Sequence, residues 1–209
     1  TASFFHLTTD SQFPYRVYGT QMDNTAISVP SRTNERAILW KDCYSVGPAE
    51  SGHIAVRNDD PHIVYAGAIG SSPGGGGNLI RYDHFTGQTR MITVWPKDRG
   101  MIAGKDNKYR FQFNFPTFVS PHDPNILYVA ANVVFRSGNE GTSWTTISPD
   151  LTRNDISKMT EVPGGPITTQ VVVPFNMGSI LTLSESPLEK GLLWAGSDDG
   201  LVHISRNGG

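Results

Sequence analysis

The stretch Ser137-Gly138-Asn139-Glu140-Gly141-Thr142-Ser143-Trp144 decides the reading of this chain, because its spacing of serine, asparagine and glycine returns at the C-terminus in Ser205-Arg206-Asn207-Gly208-Gly209. A short polar side chain such as Asn139 bonds readily to nearby backbone, and Gly141 enters the left-handed conformation without a Cβ clash. Trp144 then packs over the turn. These residue types make a hairpin, and its recurrence predicts a repetitive β-structure. The second copy stops short of its tryptophan, so the chain is expected to be part of a longer protein.

Working outward, the pairs Asp60-Pro61, Asp123-Pro124 and Ser186-Pro187 recur every 63 residues. Before each pair lies a short strand-like run, Ile54 to Val56, Thr117 to Val119 and Ile180 to Thr182. After each comes a run carrying an aromatic: Ile63 to Gly67, Ile126 to Ala130 and Leu192 to Gly196. Tyr15 to Thr20 fits the same slot. A third run follows in all four copies and a fourth in three, as in Thr89 to Val94 or Trp144 to Ile147. Four strands per unit is the blade of a β-propeller, and a period longer than the usual ~40–50 residues is absorbed by long loops. The expected fold is therefore all-β, a β-propeller of four-stranded antiparallel blades, incomplete, with about three and three-quarter blades visible. The units are a blade at 1–49, a blade at 50–109, a blade at 110–177 and a truncated blade at 178–209, all within one larger propeller domain.

Composition agrees. Charged residues make up 17% of the 209 positions, below the ~25% of an average soluble domain, whereas glycine, proline, serine and threonine are frequent, which favours short strands joined by turns. A formal net charge of −2 supplies no basic field for nucleic acid or an anionic membrane, so neither is an expected partner. No run approaches the ~20 apolar residues of a spanning helix, and no targeting segment is visible after Thr1. Cys43 is the only cysteine, which rules out an internal disulfide and a cysteine metal cluster.

The two turns resemble the Asp-box pattern Ser-x-Asp-x-Gly-x-Thr-Trp, with Asn139 and Asn207 where aspartate is usual. Together with Phe13-Pro14-Tyr15-Arg16-Val17-Tyr18-Gly19, Ser120-Pro121-His122-Asp123-Pro124 and Gly191 to Gly200, they make the whole chain similar to large bacterial BNR-repeat propellers. Many of these are labelled glycosyl hydrolases, and they resemble xyloglucanases, sortilin-type propellers and photosystem assembly-factor-like proteins. The resemblance implies a structural role for Ser137, Asn139, Gly141, Trp144, Ser205, Asn207 and Gly209, and export to a periplasmic or extracellular space. It specifies fold and leaves activity open, because the same box occurs in sialidases, hydrolases, receptors and assembly factors.

Strand alternation then sorts the loops. Asp-Pro turns and boxes share one face, and loops after the second and fourth strands emerge on the other, around the mouth of the central channel. Three long segments, 41–52, 95–109 and 148–177, fall on that mouth, joined by Gln21 to Asn24, Gly70 to Gly77 and Ser197 to Gly200. The four glycines Gly74 to Gly77 lack the lysine and helix of a phosphate cradle and read as a loop. The six histidines have no ligand spacing, so no metal and no cofactor is expected.

Two functions compete. A glycoside hydrolase needs two carboxyl groups about 5–10 Å apart, for which Asp23, Glu50, Asp106, Asp198 and Asp199 are the candidates. Trp40 and Trp95 fit core packing better than sugar stacking. A non-catalytic module would instead grip a protein or glycan on the loop-rich face, with Gln21, Asn24, Arg110, Gln112 and Asn114 as binding candidates. The alternation Arg110-Phe111-Gln112-Phe113-Asn114-Phe115 reads as an inner strand with one polar and one aromatic side. The interaction module is the favoured reading, since no acid/base constellation can be named from spacing. The remainder of its own chain is expected to complete the propeller.

Overall fold

The computed structural model describes residues 3–22, 24–48, 52–67, 77–96, 104–159 and 178–209. Within them the strands form four antiparallel sheets, each a meander in chain order. The first holds β1 (Phe4–Thr9), β2 (Arg16–Gln21), β3 (Ala26–Pro30) and β4 (Tyr44–Ser45). The second holds β5 (Ile54–Val56), β6 (Ile63–Gly67), β7 (Leu79–Asp83) and β8 (Gln88–Met91). The third holds β9 (Thr117–Val119), β10 (Leu127–Ala130), β11 (Val134–Ser137) and β12 (Thr145–Thr146). The fourth has three strands, β13 (Ile180–Glu185), β14 (Leu193–Ser197) and β15 (Val202–Ser205). The sheets are the blades of a β-propeller, and consecutive first strands β1, β5, β9 and β13 line up along the inner side, with β1 and β9 each against β5.

The second strand of each blade shows how the blades stick together. Its side chains alternate between two neighbours, because successive residues of a strand point to opposite faces. Val64 and Ala66 of β6 join Tyr18, Ala26 and Val46 in the core between blades 1 and 2. Tyr65 and Ile63 of the same strand join Leu127, Val129 and Phe135 in the core between blades 2 and 3. Tyr128 and Ala130 of β10 meet Ile180, Leu193 and Ala195 in the core between blades 3 and 4. Each hydrophobic core thus lies between blades, and the slot that reads Tyr18, Tyr65 and Tyr128 in the first three blades faces the following blade, while Trp194 in the same slot of blade 4 is half exposed.

Three expectations need correction. Residues 110–116 are not an inner strand; they run irregularly into β9. Both sides of the alternation are covered, with Phe111, Phe115, Arg110 and Gln112 all buried, so the period-two pattern records two packed sides and not one wet one. The inner strand of blade 1 is Phe4–Thr9, which no Asp-Pro marker announces, and its Phe4 and Leu7 lie over Gly19 on the face turned away from blade 2. Trp40 is also misread as core: it opens a short 3₁₀ turn and is 80% exposed. Because β4 comes only at Tyr44, residues 41–43 belong to the Asp-Pro side, and the mouth loop of blade 1 begins after Ser45.

Candidate functional site

On the mouth side, loops from blades 3 and 4 converge on a polar cluster. Asn132, in the turn between β10 and β11, accepts the backbone N–H of Arg110 at 2.9 Å and donates through Nδ2 to Asp150 at 2.8 Å. The Arg110 guanidinium donates to the Gly178 carbonyl at 2.8 Å, to Asp150 Oδ2 at 2.8 Å and to Thr152 Oγ1 at 3.0 Å. A charge taken this far out of water persists only if its donors are matched, and here most of the guanidinium fork is engaged. Burial raises the Asp150 carboxyl, but hydrogen bonds from Thr152, Asn132 and Arg110 outweigh it and hold the group below the usual carboxylate range.

Next to this lies Asp198, just after β14. Its Oδ1 accepts the backbone N–H of Gly178 and of Ser179, both at 3.0 Å, and its Oδ2 accepts Gln112 Nε2 at 3.2 Å. Burial, the largest effect, pushes this carboxyl above its ordinary range, with the backbone N–H of Ser179 pulling the other way and the Asp199 charge adding to the rise. Asp199 is held by Ser197 Oγ and by the backbone N–H of Arg153 at 2.6 Å, and the Arg153 side chain reaches the Asp199 carbonyl at 2.8 Å. Loop 147–159 of blade 3 is therefore stitched to the β14–β15 turn of blade 4, and Lys105 N–H to the Met159 carbonyl at 3.1 Å ties it to the loop before β9.

The structure brings together Arg110, Gln112, Asp198 and Asp199 among the sequence candidates. Asn114 lies nearby beside Gly52, with its Oδ1 buried and without a hydrogen bond. Asp106 ends a 3₁₀ turn, Gly104–Asp106, and is exposed. Gln21 and Asn24 close the β2–β3 turn: Gln21 Nε2 bonds the Thr25 carbonyl at 3.0 Å and Asn24 Oδ1 accepts Thr25 N–H at 2.8 Å. Asp23, Glu50, residues 70–76 of the glycine-rich loop and residues 160–177 lie outside the described residues. Sequence reasoning missed Asp150, Asn132 and Gly178. Nothing local marks them, since Arg110 finds its partners 22 to 68 residues away. Further along the mouth, His53 stacks on His6 at 3.8 Å, and burial with the nearby His6 charge pushes His53 down to about 4. Among the described residues, no three His, Cys, Asp or Glu side chains gather as a metal cage.

On the opposite side the Ser137–Trp144 turn is an internally bonded hairpin. Ser137 Oγ accepts Gly141 N–H at 2.9 Å and donates to Asn139 Oδ1 at 3.0 Å, which also accepts Ser143 N–H at 2.9 Å. The Ser205–Gly209 turn repeats the pattern, with Gly209 N–H to Ser205 Oγ at 3.0 Å and Ser205 Oγ to Asn207 Oδ1 at 2.8 Å. Asparagine supplies the acceptor oxygen that the turn uses without its charge.

No family model matches the chain, and no curated protein matches it. Among solved structures, the GH74 xyloglucanase from Xanthomonas campestris superposes on 92% of this chain with a TM-score of 0.55 at 16% identity. That likeness shows the fold. The matched region is 26% of the enzyme's chain, so this chain spans about a quarter of its length. No helix among the described residues is long and apolar enough to cross a membrane.

Proposed function

We propose that the chain is an exported interaction module that presents its loop-rich mouth to a protein or glycan. One observation carries this reading: the three carboxylates of the described mouth cluster are committed to the scaffold. Asp150 accepts from Arg110, Asn132 and Thr152; Asp198 from Gly178, Ser179 and Gln112; Asp199 from Ser197 and Arg153. Such carboxylates staple loops together and leave exposed side chains such as Lys105, Asp106, Asn154 and Ile156 for contact. The export part of the reading rests on the resemblance to BNR-repeat propellers.

A second reading, glycoside hydrolysis, has its own support. Asp198 is pushed up and Asp150 held down within one cluster, the divergence that separates a proton donor from its partner carboxylate. The test is a panel of oligosaccharides, xyloglucan fragments included, scored both for retention by the immobilised chain and for new reducing ends. The module reading expects retention weakened by Lys105→Ala or Ile156→Ala and no turnover. Turnover that Asp198→Asn abolishes while the circular dichroism spectrum stays unchanged would replace it with the hydrolase.

A further inference from the structure

On the face opposite the loop-rich mouth, the β1–β2 turn and the β3–β4 loop of blade 1 enclose a pocket of about 360 Å³. Ligand pockets run from ~300 to 1,000 Å³, so this one has room for one small ring. Both of its walls are fixed. Asp10 Oδ1 accepts the backbone N–H of Gln12 at 3.2 Å and of Arg16 at 2.9 Å, which holds the β1–β2 turn. Ser31 N–H donates to the Tyr15 carbonyl at 2.8 Å and ties the β3–β4 loop to that turn.

Register directs the pocket's inner arginine toward blade 2. Arg16 pairs with Pro30, and Ser28 pairs with both Tyr18 and Tyr44, so these five side chains share one side of the sheet. Tyr18 belongs to the core between blades 1 and 2, and Arg16 therefore lies on that same side. Its guanidinium is built in. Nε donates to Ser28 Oγ at 2.7 Å, Nη2 donates to the Asp42 carbonyl at 2.7 Å, and Cζ stands 4.5 Å from the centre of the Tyr44 ring. Tyr44 in turn stacks on His84 of blade 2 at 3.7 Å.

The lining also holds polar atoms that the fold does not use. Among the described residues, Arg16 Nη1 has no hydrogen-bond partner. Arg32 likewise makes no hydrogen bond, and its guanidinium lies 5.4 Å from the centre of the Phe13 ring on the other wall. Two guanidinium groups against one carboxylate, Asp42, leave the lining with an excess of one positive charge. A singly charged oxyanion balances that excess, whereas a phosphate ester at about −1.5 to −2 would overshoot it beside Asp42. A planar carboxylate suits the guanidinium fork.

Two acceptors narrow the ligand further. Asp42 spends Oδ2 on the Leu39 N–H at 2.8 Å, and Gln12 spends Nε2 on Asp10 at 3.1 Å. Asp42 Oδ1 and Gln12 Oε1 are left to accept from hydroxyl groups. An acidic peptide side chain brings a carboxylate but no such donors. A sugar acid brings both on one ring, and Phe13, Pro14 and Pro30 offer apolar faces to its C–H side.

We infer that this pocket is a binding site for a polyhydroxylated carboxylate of the sugar-acid class, either free or as a uronic acid residue of a glycan. Arg16 and Arg32 take the carboxylate, and Gln12 and Asp42 take hydroxyls. The site stands apart from the loop-rich face and survives or fails without it.

The probes are galacturonate and trigalacturonate, titrated calorimetrically into the intact chain, with galactose and N-acetyl-aspartate as the neutral and the hydroxyl-free comparisons. Galacturonate is expected to bind saturably and the two comparisons at least about tenfold more weakly. Arg32→Gln should weaken galacturonate about tenfold or more with the thermal midpoint unchanged, because the Arg32 side chain makes no hydrogen bond in the fold. Lys41→Gln removes the same charge from the same loop outside the pocket and should leave the affinity as it was. Amide shifts in an NMR titration should fall on residues 12–16 and 30–42. Tighter binding of trigalacturonate assigns the site to a glycan chain, and equal binding assigns it to a free sugar acid. No saturable binding, galactose bound equally well, equal weakening by Arg32→Gln and Lys41→Gln, or shifts confined to the mouth overturns the site. N-acetyl-aspartate bound as tightly as galacturonate overturns the sugar acid in favour of an acidic peptide.

Discussion

At the scale of single residues, one atom on one glycine separates a turn that packs from a turn that merely bends. Gly141 and Gly87 both sit in left-handed backbone, at φ 75° and 71°. A Cβ at Gly87 meets nothing within 4 Å, while one at Gly141 would lie 2.6 Å from Ile92 Cδ1 and 2.8 Å from Ile92 Cβ. The conformation alone costs an L-residue ~1–2 kcal/mol, and crowding a packed neighbour adds a similar amount. Gly87→Ala should therefore lose about 1 kcal/mol and Gly141→Ala about 2–4 kcal/mol, read from urea midpoints at constant slope. Equal losses would mean that the turn does not rest on blade 2. Asn139 and Asn207 can be read directly from the spacing of the sequence because their bonds close within four residues. Arg110 cannot: its alternation with the phenylalanines looks like a strand, yet the residues that neutralise it come from three separate loops.

At the scale of elements, the Ser137–Trp144 hairpin acts as a clasp on the preceding blade. Glu140 receives Arg57 Nη1 at 2.9 Å and Arg81 Nε at 2.8 Å, and Arg90 of β8 donates to the Glu140 carbonyl and to Thr142 Oγ1, each at 2.9 Å. Three arginines of blade 2 thus converge on one turn of blade 3. Exposed ion pairs are usually worth under 1 kcal/mol, but Glu140 is only 30% exposed and its arginines less, so the pair is expected at the upper end. A double-mutant cycle on Arg81→Met and Glu140→Gln should give a coupling of about 1 kcal/mol that falls in 1 M salt. Coupling near zero, or unaffected by salt, would reduce the clasp to the Trp144 and Gly141 contacts. The hairpin was legible because its residues are adjacent; the clasp was not, because Arg57 and Glu140 are 83 residues apart. For the same reason β1 escapes a search keyed on Asp-Pro pairs: Phe4–Thr9 is followed by Asp10, whose carboxylate accepts Tyr18 Oη–H at 2.9 Å, a turn built with different residues.

At the scale of the whole molecule, stability resides in the seams between blades and not inside any blade. The repeat makes this testable at one slot. Tyr18, Tyr65 and Tyr128 are each buried against a following blade, at 0%, 1% and 4% exposure, while Trp194 in the same slot is 47% exposed beside Val202 and Ile204. Removing a buried aromatic side chain costs ~3–5 kcal/mol through lost transfer energy and the cavity left behind. Tyr65→Ala should therefore destabilise the chain by about 3–5 kcal/mol, since its ring is shared by Leu127, Val129 and Phe135 of blade 3. Trp194→Ala removes a larger side chain from the same register and should cost this 209-residue chain about 1 kcal/mol or less, because among the described residues no blade covers it. Thermal unfolding of the two variants side by side decides the matter. A Trp194→Ala loss as large as that of Tyr65→Ala would mean that blade 4 is covered in solution on the side where the described structure leaves it open. A small Tyr65→Ala loss would instead break the seam between blades 2 and 3 that positions the Arg110 and Asp198 loops.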